Sequence, residues 1–166
     1  MVKKLLRQLY HLIPWILKND KHIVHYKSIE ILCEWAQERG HDVQFQRELP
    51  DQLSFDDKTI FIHTRQGVEN QLYSLLHECG HLLVSVSQKG FERDYPMYAY
   101  AATKRQEGTN KYKVSVVAEE YEAWKRGRKL AERLSIPINK KKYDIAMTDA
   151  IMSYFRWAGN FAYNRI

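Results

Sequence analysis

The chain is poor in cysteine, proline and glycine, with 2, 4 and 7 of them among 166 residues. Two cysteines, Cys33 and Cys79, exclude a disulfide scaffold and a four-cysteine zinc site. No internal repeat or low-complexity tract is present, which leaves no solenoid or linker-rich design. No apolar run reaches the roughly 18 residues of a membrane span. The first 20 residues, MVKKLLRQLYHLIPWILKND, begin like a secretory leader. Arg7, Gln8 and His11 break the apolar stretch, and no small-residue cleavage site follows. These absences predict a soluble, cytoplasmic protein with no membrane partner.

Hydrophobic residues make up 45% of the chain and charged residues 28%, a globular balance that excludes a disordered or collagen-like chain. Aromatics are plentiful: 11 Tyr, 4 Trp and 6 Phe. The length suits one domain, residues 1–166, that buries roughly 70% of its unfolded surface and folds without metal or disulfides. The net charge is +6, and the surplus sits late in the chain. Residues 1–83 carry 10 basic and 11 acidic side chains; residues 84–166 carry 16 and 9. The clusters are Lys125 to Lys129 (KRGRK) and Lys140 to Lys142 (KKK). Nucleic acid or an acidic protein is one partner class such clusters attract. A solvated helix face is the plainer reading.

Periodicity predicts a helix over 2–17 that Pro14 kinks. A second, over 27–39, places Ile29, Leu32, Cys33 and Ala36 on one face, with Arg39 in its last turn and Gly40 as a left-handed cap. Strands are expected at 42–47 and at Thr59–His63, with a turn at Pro50-Asp51 between them. A long helix follows from about Gln66 to Gln88, closed by Lys89-Gly90. Residues 91–113 show no clean period and read as a long, lid-like loop. Helices at 115–134 and 143–158 end the chain. The class is α+β, with a small early sheet and helices late.

Residues 77–81 read HECGH, an H-E-x-x-H pentapeptide. Two histidines at i and i+4 project from one helix face and can reach a single Zn²⁺. A glutamate beside the first histidine, Glu78, can take a proton from a water at that site. Helical phase places Val68, Leu72, Leu75, Leu76, Leu82, Leu83 and Val86 within roughly 60° of Cys79. His77 and His81 fall on the opposite side, with Asn70, Tyr73 and Val84. The helix thus buries an apolar stripe and turns its histidines elsewhere, although two plain surface histidines fit the same phase. Gly80 costs roughly 1 kcal/mol in a helix interior; a neighbouring element coming close accounts for it.

A catalytic zinc site takes three protein ligands and keeps one open position. The downstream candidates are Glu119, Glu120 and Glu122 in AEEYEAW. Taking Val117, Trp124, Gly127, Ala131 and Leu134 as the inward stripe, Glu120 falls in its middle, Glu119 roughly 100° away and Glu122 nearly opposite. Glu122 shares the outer face with Lys125, Arg126, Lys129 and Arg133. A carboxylate inside an apolar stripe needs compensation. A zinc ion supplies it, as does an Arg or Tyr partner.

The sequence resembles the zincin metallopeptidases, in particular the branch with a glutamate third ligand (gluzincins). Within that branch it is most similar to the ImmA/IrrE-type domain of bacteria, phages and mobile elements. The resemblance spans a strand, the HECGH helix and a later E-x-x-A segment, Glu120-Tyr121-Glu122-Ala123, or roughly residues 58–134. That family often carries Asn or Asp after the Ala, where this chain has Trp124. The resemblance implies a compact domain whose small sheet lies beside the active-site helix. It further implies zinc held by His77, His81 and Glu120, with Glu78 as the catalytic base. The implied activity is zinc-dependent hydrolysis of peptide bonds in a protein or peptide, regulatory proteins such as repressors among them. An SprT-like zincin needs a third histidine after the pentapeptide, and no histidine follows His81.

Oxyanion donors are open among Tyr98, Tyr100 and Tyr154. Cys79 lies on the buried face and reads as a small apolar filler. His63 reads as a turn residue or as a support for the metal site. His11, His22, His25 and His41 show no ligand spacing. The rival function is a basic regulator that binds nucleic acid or protein, with a structural or vestigial metal site.

Overall fold

The computed structural model describes residues 22–99 and 103–159. The expected helix at 2–17, with Pro14, lies outside the described residues, as does Tyr100. Residues 22–37 form α1. Ile29, Leu32, Trp35 and Ala36 are its buried face. Its end follows the sequence signals: Gly40 has φ +76°, and the Arg39 guanidinium donates to the Trp35 carbonyl at 2.9 Å.

Three strands follow: β1 (Asp42–Gln46), β2 (Gln52–Ser54) and β3 (Thr59–His63). They form a mixed sheet in the order β1-β3-β2, β3 lying parallel to β1 and antiparallel to β2. The central strand carries the apolar load, with Ile60 and Ile62 fully buried. β2 was not expected. It has three residues with one apolar side chain, Leu53, too short for an alternation to show.

The helices after the sheet are α2 (Val68–Val84), α3 (Gln88–Asp94), α4 (Pro96–Ala99), α5 (Lys104–Glu107), α6 (Asn110–Arg133) and α7 (Lys140–Gly159). The architecture is therefore α+β, with the small sheet early and most helices late. Among the described residues no helix is long and apolar enough to cross a membrane.

The first described helix covers 22–37 rather than 27–39, α6 begins at Asn110 rather than at 115 and α7 at Lys140 rather than at 143, and two further departures are larger. The long helix stops at Val84, and Ser87 caps a new one by accepting from the Gly90 amide. Gly90 thus sits inside α3 rather than closing α2. The described residues of 91–113 form no open loop either: hydroxyl caps at Ser87, Thr103 and Thr109 start α3, α5 and α6, and Pro96 opens α4. Helices of one or two turns are too short to show a hydrophobic period, which is why the sequence pattern is blank there.

One apolar cluster joins α1, β3, α2, α6 and α7. Leu72, Leu75, Leu76 and Cys79 are fully buried in it. The crossing of α2 and α6 positions the site. A Cβ at residue 80 would stand 2.7 Å from the Ala123 carbonyl carbon, and one at residue 127 would stand 2.8 Å from that of Leu76. Two glycines, one on each helix, let the backbones approach this closely.

Candidate metal centre

The α2 helix is buried on two flanks. Leu72, Leu75, Leu76 and Cys79 are buried in the core, while Tyr73, Gly80 and Val84 on the other flank are also buried. His77 and His81 sit on the Gly80 side, where α6 brings Glu119 and Glu120 against them. The Nε2 atoms of His77 and His81 lie 3.1 Å apart. Glu120 Oε2 lies 3.2 Å from His77 Nε2 and 3.6 Å from His81 Nε2. Ligands at about 2.0–2.1 Å from a tetrahedral zinc stand about 3.3 Å apart. The three atoms have that spacing, and all ligand atoms of the group lie within 4.8 Å of one another.

The protonation pattern also suits a cation. Glu119 Oε1 is 2.8 Å from His81 Nδ1, so the ring donates there, and a cation that displaces the Nε2 proton meets the Nε2 lone pair facing the triad. Glu120 Oε2 is buried with no hydrogen-bond donor. Electron-rich atoms this close require a proton or a metal between them. Burial alone pulls the His81 imidazole down, but the Glu119 hydrogen bond and the charges of Glu78, Glu119 and Glu120 outweigh it and raise it to about 9. For Glu120, burial pushes the carboxyl up, yet the histidines and a Tyr154 hydrogen bond bring it below its ordinary value. The residues therefore fit a bound cation.

Each histidine is held by a different neighbour. His81 has the Glu119 carboxylate. His77 lies flat on the Trp124 indole, with ring centroids 4.5 Å apart and planes at 19°. Tyr143 fixes Trp124 in turn, edge-on at 5.2 Å and with its hydroxyl donating to the Trp124 carbonyl at 2.9 Å.

Glu78 is 4% exposed and lines the same cavity as the triad. Burial pushes its carboxyl up, the nearby histidines oppose this, and Glu120 and Asp51 add to it; the net direction is up. The cavity holds about 890 Å³ and is walled by β2, α2, α4, α6 and α7. Tyr98 and Tyr154 both line it. The Tyr154 hydroxyl is engaged with Glu120, whereas burial and the Glu119 charge push Tyr98 up to about 12.

Asp51, expected only as a turn marker, clamps β2 to α2. Its carboxylate accepts from the His63 amide at 2.7 Å, the Ser74 hydroxyl at 2.7 Å and the Gln66 side chain. His63 ends β3 and does not line the cavity; its Nδ1 accepts from the Arg65 amide at 3.3 Å. Glu122 pairs with Lys125 and Arg126 as helical phase requires. Arg126 also reaches inward to the Leu83 carbonyl, 2.5 Å away, at the end of α2.

Sequence reasoning weighed Glu119 and set it aside, placed Trp124 in the inward stripe without a part in the site, and did not single out Tyr143. The inward stripe of α6 runs through Val116, Ala123 and Leu130 rather than Val117, which widens the buried arc to take in both Glu119 and Glu120. A paired glutamate beside a helix stripe was the available signal. No family model matches the chain, and no curated protein or solved structure matches it.

Proposed function

We propose that the protein is a zinc-dependent metallopeptidase of the zincin kind, acting on a protein or peptide. One observation carries the reading: His77 Nε2, His81 Nε2 and Glu120 Oε2 converge at metal-ligand spacing beside a buried glutamate in an open cavity. The H-E-x-x-H resemblance supports the same choice of chemistry. Zinc at such a site supplies a Lewis acid and brings the pKa of water to about 7. His77, His81 and Glu120 hold the ion. Glu119 fixes the His81 tautomer so that Nε2 is the free nitrogen. Glu78 takes the proton of the attacking water and delivers it to the leaving amine.

The test pairs elemental analysis with cleavage of candidate protein substrates by the native chain and Glu78→Gln. One zinc per chain in both, with hydrolysis only in the native protein, is the expected result. Salt-sensitive nucleic-acid binding that survives Glu78→Gln, with no hydrolysis by either protein, is the outcome of the rival regulator.

A further inference from the structure

The two histidines of the triad are oriented unequally. His81 Nδ1 has a carboxylate acceptor 2.8 Å away. His77 Nδ1 is buried and has no hydrogen-bond partner. A metal-binding histidine ordinarily has its second nitrogen fixed by an acceptor, which sets both tautomer and ring orientation. The His77 Nε2 faces Glu120 and His81, whose ring also meets it edge-on at 4.5 Å, and the face of the ring is covered by the indole. Trp124 is 5% exposed and nearly coplanar with the imidazole.

The indole is itself immobilised from three helices. Trp124 comes from α6 and Tyr143 from α7, and Tyr143 meets Tyr73 edge-on at 5.3 Å. Tyr73 is one turn before His77 on α2, so the ring series Tyr73–Tyr143–Trp124–His77 begins and ends on the same helix. The series ties α2 to α6 by way of α7. Rotation of the His77 ring out of the triad would break the stack at its last member.

We infer that Trp124 is a positioning residue of the metal site: its indole face holds the His77 imidazole in the ligand orientation, in place of the hydrogen-bond acceptor that His77 lacks. The inference rests on the triad binding a metal. It accounts for a large aromatic directly after Ala123, where a small polar residue offers no plane to stack on.

The test is a Zn²⁺ titration of the intact chain against a chromophoric chelator. Trp124→Leu removes the plane and Trp124→Phe keeps a smaller one. Trp35→Leu is the control, since Trp35 is equally buried in the core but belongs to α1 and does not line the cavity. The expected result is a loss of zinc affinity of about tenfold or more in Trp124→Leu, recovered for the most part in Trp124→Phe. Trp35→Leu should lower stability and leave the affinity of the folded protein unchanged. If Trp124→Leu does not fold, Trp124→Met is judged by the same criterion. Affinity within twofold of the native chain in the folded Leu or Met variant overturns the positioning role and leaves the metal site standing. A native chain that binds no Zn²⁺ overturns both.

Discussion

Glu119 and His81 are 38 residues apart in the chain, and 2.8 Å separates the Glu119 Oε1 from the His81 Nδ1. This contact joins α6 to α2 one residue away from the contact made by Glu120. Adjacent residues on a helix point roughly 100° apart. Glu119 and Glu120 therefore approach the histidine pair from two sides, one behind His81 and one in front. A phase argument that selects a single glutamate predicts that Glu119→Ala leaves metal binding untouched. The geometry predicts otherwise. Glu119→Ala should weaken zinc binding by about 10- to 100-fold, the usual effect of removing a histidine's orienting carboxylate. Glu120→Ala should remove it. Competition titration separates the two, and an unchanged affinity in Glu119→Ala would show the contact to be idle.

The glycines at the crossing give a prediction about sign. Alanine is favoured over glycine in a helix interior by about 1 kcal/mol. At residue 80 and at residue 127 the added methyl meets a backbone carbonyl of the facing helix. Overpacking of this kind costs about 1–3 kcal/mol or more. Gly80→Ala and Gly127→Ala should therefore lower the urea midpoint. At Gly67, before α2, a Cβ meets nothing within 4 Å, so Gly67→Ala should be close to neutral. A stabilised Gly80→Ala protein would mean that the helices are farther apart than described.

Much of this arrangement is legible in the sequence. The β-branched run Thr59–His63 and the strict capping of α1 by Arg39 and Gly40 are local signals, and local signals survive folding. His77 and His81 are fixed relative to each other by helix geometry alone. What the sequence does not carry is depth. Glu119 differs from any surface glutamate only because α4 and α2 both pack against α6, and Trp124 differs from a core residue only because His77 happens to face it. The short helices between 88 and 107 were invisible for another reason: one or two turns have no clear periodicity, and only a capping hydroxyl or an opening proline gives them away.

Cysteine chemistry offers an independent check on burial. Cys79 lies inside the H-E-x-x-H segment yet is fully buried, and burial pushes its thiol well above the ordinary range. Burial also raises Cys33, helped by the charges of Glu30 and Glu34. Both thiols should resist iodoacetamide in the native protein at neutral pH and react after unfolding in urea. Cys79→Ala should retain its metal, because the side chain fills space and contacts no ligand atom. Rapid alkylation of Cys79 in the folded chain would contradict the described packing.

Asp51 provides a stability prediction apart from the His77–His81–Glu120 triad. Its carboxylate collects donors from the His63 amide, the Gln66 side chain and the Ser74 hydroxyl, tying the cavity's strand wall to α2. Asp51→Ala leaves these donors without their acceptor, at a cost of about 1–3 kcal/mol. The expected result is a lower melting temperature with zinc content preserved. Loss of the metal together with the fold edge would place Asp51 in the site itself.

The most direct measurement is anomalous diffraction at the zinc edge from crystals grown with one equivalent of Zn²⁺. The account predicts one peak per chain, bonded to His77 Nε2, His81 Nε2 and a Glu120 oxygen, with a coordination position open to the cavity. Crystals without a peak at that place, or with zinc bound elsewhere while the Glu120 side chain is turned from the histidines, would contradict it.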